Sequence, residues 1–182
     1  MSQLQVSHRV QANANGEDNY QKHTISILME NNFGAFNRIA GLFATKGYNI
    51  DSITVGPTEE HDVSRMTIVT RGEDHVIEQI IKQLNRLIDT ITVLDLTFES
   101  FVERDLALIK VDTTTDTRSE IMQIAEIFRA KVIDISPKTL TLETTGGQQK
   151  VDAMISMLRP FGIKEIARTG RVALKREFQG DV

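Results

Sequence analysis

Twice along this chain the spacing of apolar residues switches from two to about 3.6 and back in the same order, and this confines the fold more than any other feature. From His23 the period is two, with Ile25, Ile27 and Met29 on one face of a strand. Phe36, Ile39, Ala40 and Phe43 then fall on one helix face, and Gly47 stands where a left-handed cap would end that helix. Ile50 to Val55 and Met66 to Val69 read as two strands joined by the turn-rich Gly56, Pro57, Thr58, Glu59, Glu60 segment. A second stripe, Ile77, Ile80, Ile81, Leu84 and Leu87, is helical, and Leu94, Leu96 and Phe98 alternate along a closing strand. The order is βαββαβ.

The second half repeats it. Ile39, Ala40, Phe43 and Ile50 match Ile124, Ala125, Phe128 and Ile135 at one offset, since 124 minus 39 and 135 minus 50 are both 85. The second stripe matches Val151, Met154, Ile155, Leu158 and Phe161 at an offset of 74 (151 minus 77), so the intervening hairpin is shorter by 11 residues (85 minus 74). Amphipathic helices share apolar spacing by chance, but the preserved order of six elements favours duplication of one architecture. The fold class is therefore α+β, as two ferredoxin-like units, each with two helices on one face of a four-stranded antiparallel sheet. The division is a polar, disordered tail over 1–22, a first unit over 23–102 and a second over 103–182. The opposite sheet face is expected to be uncovered, and in so small a unit that favours a homodimer.

Composition narrows the function. A net charge of -4 without a Lys/Arg run disfavours nucleic-acid binding, which needs a clustered basic face. The absence of cysteine excludes thiolate nucleophiles, disulfides and Cys-based zinc sites. No apolar run approaches the roughly 18 residues of a membrane span, and with no leader-like N-terminus the expected location is cytoplasmic. His8, His23, His61 and His75 include no i, i+4 pair, both common phosphate-loop motifs are missing, and most of the carboxylates fall on expected solvent faces. No metal site and no catalytic residues are expected.

The turn Glu30, Asn31, Asn32, Phe33, Gly34 is the exception. It sits at a helix N-terminus, where free backbone N–H groups and the helix dipole favour an anion such as a carboxylate. Asn31 can accept from an ammonium group and donate to a carboxylate, and Gly34 lets a ligand approach the backbone. The same residues would also serve as an ordinary helix cap, and Asn49 would serve as a residue tolerant of the conformations that follow a C-cap.

At these residues the chain resembles the regulatory small subunit of acetohydroxyacid synthase, also called acetolactate synthase, over residues 23 to about 176. The first unit looks like an ACT domain through the Asn31/Gly34 turn, Gly41, Leu42, Phe43, Gly47, Tyr48, Asn49, Ile50 and the strand from Ser64 to Ile68. The second resembles that subunit's C-terminal domain through Glu126 to Ala130, Pro160 to Ile163 and Glu165 to Gly170. The resemblance implies a non-catalytic protein that binds and activates a large catalytic subunit and confers feedback inhibition by valine or a related branched-chain amino acid. Thiamine diphosphate, Mg and FAD would belong to that catalytic subunit, with no cofactor on this chain. It further implies an effector held between two ACT domains of a homodimer. Asn31, Asn32, Phe33, Gly34, Ala35 and Phe36 of one chain would then face Asn49 and Ile50 of the other. The N-terminal extension, Phe36 in place of a smaller aliphatic and Lys46 in place of arginine depart from the family pattern, and Phe36 stands where it would reshape the effector's side-chain pocket.

Two other classes share parts of this pattern. An acylphosphatase-like hydrolase uses the same unit with an anion loop, but residues 30–35 hold no cation and Arg38 lies a turn further on. A stand-alone amino-acid-sensing regulator of transcription would want a helix-turn-helix or a basic surface.

Overall fold

The computed structural model describes residues 20–177, and the tail expected over 1–22 lies outside them up to residue 19. The first unit comprises β1 (Gln21–Glu30), α1 (Ala35–Lys46), β2 (Ile50–Pro57), β3 (Val63–Gly72), α2 (Asp74–Leu84) and β4 (Thr90–Asp95). The second comprises β5 (Phe101–Asp112), α3 (Arg118–Ile127), β6 (Lys131–Ile135), β7 (Thr139–Gly146), α4 (Gln148–Leu158), β8 (Ile163–Arg168) and β9 (Val172–Lys175), with a short 3-10 turn after α4. Strand orders are β2-β3-β1-β4 and β6-β7-β5-β8, antiparallel throughout. The fold is thus α+β and ferredoxin-like in both halves. Helices α2 and α4 begin 74 residues apart (148 minus 74), the offset of their apolar stripes.

Each unit closes its own core, because the inward period-two residues of the sheet meet the inward stripe of its helices. Ile25, Ile27, Met66 and Ile68 pack against Ile39, Phe43, Ile77, Ile80 and Leu84, all buried. In the second unit Ala107, Ile109, Val111, Leu140 and Leu142 meet Ile121, Ile124, Val151, Met154 and Leu158. Tyr48 braces Phe43 edge-on, with ring centroids 6.4 Å apart.

Four features differ from the pattern reading. Strand β1 begins at Gln21, two residues ahead of His23, because Gln21 and Lys22 pair with Gly72 and Arg71. The second unit begins with Phe101, because β5 is twelve residues long and its first four pair with β9, a strand the repeat does not predict. The closing strand ends at Asp95: the Asp95 carboxylate accepts the Thr97 N–H at 2.9 Å and turns the chain out of the ladder. Leu96 is buried beyond the strand, while Phe98 is exposed.

The fourth difference concerns the sheet face opposite the helices, which was expected to be uncovered. In the first unit Thr24, Ser26 and Thr67 on that face are buried. The segment between β8 and β9 covers part of it: Thr54 donates to the Thr169 carbonyl at 3.2 Å, and Arg171 reaches the Thr24 hydroxyl. Arg65 donates to Ser26 at 3.1 Å. These are small hydroxyl residues, and a buried hydroxyl needs a partner, which Arg171 supplies to Thr24 and Arg65 to Ser26.

Candidate functional site

The β1–α1 turn is held by backbone bonds at both ends, from Asn31 N–H to the Asp62 carbonyl at 2.7 Å and from Glu30 N–H to the Asp89 carbonyl at 2.8 Å. Gly34 is the N-cap of α1, with φ 87° and ψ -6°, a left-handed conformation that a side chain would strain. Among the described residues no side chain caps this helix. The Asn32 carboxamide instead donates to Glu30 at 2.7 Å, and among the described residues the Asn31 carboxamide makes no hydrogen bond. Neither Asn31 nor Asn32 therefore caps α1 through its side chain.

The remaining residues of the expected site divide. Phe33 is fully exposed, at 102% relative accessibility, and Phe36 is exposed at 44%, so both aromatic groups face outward beside the turn. Ala35 does not share that position. Its methyl is buried in the first core and its N–H is bonded to the Asn32 carbonyl at 3.2 Å, because position 35 falls on the inward stripe of α1. Asn49 is exposed and Ile50 half-buried, just past the end of α1 at Gly47. The Asn49 carbonyl accepts from Thr70 at 2.6 Å, and among the described residues its carboxamide has only a long contact of 3.4 Å to Asp51.

Within one chain these two segments do not meet. They stand at opposite ends of the 12-residue α1, which spans about 18 Å at 1.5 Å per residue. Asn49 and Ile50 instead border a polar cleft of about 810 Å³ between the two units, with Arg168 to Arg171 opposite. The cations around it are committed. Arg71 pairs with Asp51 at 2.8 Å, Arg171 with Glu103 at 2.7 Å, and Arg168 with Asp105 and Asp152, the latter at 2.8 Å. Burial alone would lower the Arg168 pKa, but hydrogen bonds to the two carboxylates outweigh it and raise it.

One charged pair beside the turn was not singled out by pattern. Arg38 binds the buried Asp89 through Nε and Nη2, the latter at 2.8 Å. The guanidinium's hydrogen bonds hold the Asp89 carboxyl below the usual carboxylate range, and raise Arg38 in turn. An arginine and an aspartate 51 residues apart carry no local signal; only the packing of α1 beside the loop before β4 joins them. His23 is likewise buried, with Nδ1 3.4 Å from Asp95 and Nε2 3.4 Å from Asp74. Among the described residues no group of three or more His, Asp or Glu side chains is gathered for a metal, and no helix is long and apolar enough to cross a membrane.

The first unit, which opens α1 on Gly34, is matched by the family model of an ACT domain, so the chain is an ACT-domain protein. Two family models match it: an "AHAS small subunit-like ACT domain" over residues 25–92 and a "small subunit of acetolactate synthase" over residues 104–177. The acetolactate synthase small subunit of Aquifex aeolicus is 56% identical over 158 residues, 86% of this chain and 82% of that protein. A probable acetolactate synthase small subunit of Archaeoglobus fulgidus is 53% identical over 155 residues, covering 85% and 97%. The crystal structure of the acetolactate synthase small subunit from Thermotoga maritima is similar with a TM-score of 0.78 at 43% identity, covering 86% of this chain and 98% of that one. The chain belongs to the acetolactate synthase small-subunit family.

Proposed function

We propose that this chain is the non-catalytic partner of a thiamine-diphosphate-dependent catalytic subunit of acetolactate synthase, which also carries Mg and FAD. It raises that subunit's activity and makes it responsive to valine or a related branched-chain amino acid. Beyond family membership, the observation that carries the reading is the placement of Asn31 and Asn49. Both carboxamides are exposed and largely uncommitted, at opposite ends of one helix. A ligand the size of valine reaches both only if a second copy brings its α1 alongside, antiparallel to the first. Strand β2 is an edge strand of its sheet, and pairing two such edges about a two-fold axis gives that arrangement.

The effector's carboxylate then meets the free N–H groups at the start of α1 and its ammonium meets an asparagine carbonyl oxygen. Phe36 borders its side chain. Sensing near 0.1 mM requires about 5.5 kcal/mol of binding, and coupling to the catalytic subunit is typically about 1 to 3 kcal/mol. Valine favours one relative arrangement of the two ACT domains, and the catalytic subunit distinguishes that arrangement from the free one.

The test is reconstitution. The chain is added to its catalytic subunit and acetolactate formation is followed while branched-chain amino acids are titrated. Activation followed by valine inhibition is expected; neither activation nor inhibition would refute the assignment.

A further inference from the structure

The β1–α1 turn offers more than backbone donors and asparagine amides. Arg38 lies one turn into α1, and helical side chains lean toward the N-terminus, so its guanidinium comes back over the turn. Its Nη1 stands 3.4 Å from where a Cβ on Gly34 would sit. Asp89 takes the other edge of the guanidinium, through Nε and Nη2. The two hydrogens on Nη1 have no partner among the described residues. Asp89 is buried, and its own carbonyl accepts the Glu30 N–H at 2.8 Å, so the carboxylate that aims this fork is itself fixed to the end of β1.

Resting on the amino-acid effector reading above, we propose that Arg38 is a further specificity-determining residue. Its Nη1 edge donates to the effector's α-carboxylate while Asp89 positions the guanidinium. Asp89 balances the charge of Arg38 but leaves two N–H donors pointing at the glycine. Selection therefore comes from the geometry of the fork, which a lysine ammonium cannot reproduce. The Glu30 carboxylate, tied to Asn32 at 2.7 Å, lies on the same turn and suits the ammonium end of a zwitterion. Gly34 then serves twice, since a Cβ there would stand against Nη1 as well as strain the backbone.

The experiment is calorimetry on the full chain with valine and with valinamide, which keeps the ammonium and side chain but lacks the carboxylate. The variant is Arg38→Gln combined with Asp89→Asn, so that no buried charge is left unpaired. The wild type is expected to prefer valine to valinamide. The variant is expected to lose about tenfold or more in valine affinity, the scale of a charged hydrogen bond, with valinamide affinity unchanged. Valine affinity within twofold of wild type, or an intact preference for valine, overturns the role of Arg38 and leaves the effector reading standing. A wild type that binds no branched-chain amino acid overturns the effector reading itself. If circular dichroism shows the double variant unfolded, Arg38→Lys is measured instead, because an ammonium held by Asp89 has no second edge to offer. The same loss is expected there, and wild-type affinity again overturns the proposal.

Discussion

Replacing Gly170 with alanine tests how the second unit is seated on the first. Gly170 has φ +83°, and a Cβ on it would lie 3.1 Å from Ser52 Cβ and 3.1 Å from Thr54 Oγ1, on the sheet face away from the helices. Two costs follow. Holding an L-residue in the left-handed region costs about 1 to 2 kcal/mol, and forcing a methyl into occupied space adds roughly 1 to 3 kcal/mol. Gly47 separates them, because it has φ +70° but a Cβ there would meet no described residue within 4 Å. Gly47→Ala should therefore lose about 1 to 2 kcal/mol and Gly170→Ala about 2 to 5 kcal/mol. For a chain of this length each kcal/mol is about 2 to 4 °C in Tm. Urea unfolding followed by circular dichroism, at one protein concentration so that association is held constant, measures both. Placing Gly170→Ala in a Ser52→Gly background should recover roughly 1 kcal/mol of the excess as a coupling energy. Equal losses at Gly47 and Gly170, with no coupling to Ser52, would refute the close approach and with it the account of the buried Thr24 and Thr67.

Asn31→Ala and Asn49→Ala should each lower valine affinity about tenfold or more in calorimetry, with the thermal transition unchanged. Mixed dimers of the two variants should regain one full-affinity site per dimer, because one site collects both substitutions and the other neither; no recovery would place both asparagines in the same chain's site. Phe36→Val should change the relative affinities of valine, leucine and isoleucine, measured by competition, because Phe36 borders the exposed side of the turn. Phe43→Ala should cost about 3 to 5 kcal/mol in urea unfolding, since the ring is buried between α1 and its sheet. Asp89 is held below its ordinary value by Arg38, so its contribution to stability is present above about pH 4 and is lost as pH falls through the folded value. The Arg38→Gln, Asp89→Asn pair should accordingly lose less stability between pH 5 and pH 2 than the wild type, read from Tm against pH.

Both cores were legible in the residues because both rest on local periodicity. Ile25, Ile27 and Met29 alternate, Ile39 and Phe43 recur at helical spacing, and burial follows wherever such stripes can face one another. The 74-residue offset held for the same reason, since α4 repeats the inward stripe of α2. Ala35 shows the limit of motif-level reading: it falls in the recognised turn segment, yet the helix phase turns its methyl into the core.

Other features depend on groups far apart in sequence. Strand β9 exists because the start of β5 extends past its own sheet, and Val172 to Lys175 carry no period that distinguishes them from a tail. Thr24 and Ser26 read as an exposed polar face until Arg171, Arg65 and the turn at Gly170 supply partners. Asp89 gives no hint of burial without Arg38 beside it.

The sequence by itself determined the two βαββαβ units, their cores and the glycine-opened turn before α1, because each follows from the order and spacing of residues along a short stretch. Only the tertiary structure decided that the asparagines do not cap the helix, that Asn31 and Asn49 stand at opposite ends of it, and that Arg38 turns a free edge toward Gly34. Those are statements about direction in space, and periodicity specifies which face a residue takes but not what arrives from another part of the chain to meet it.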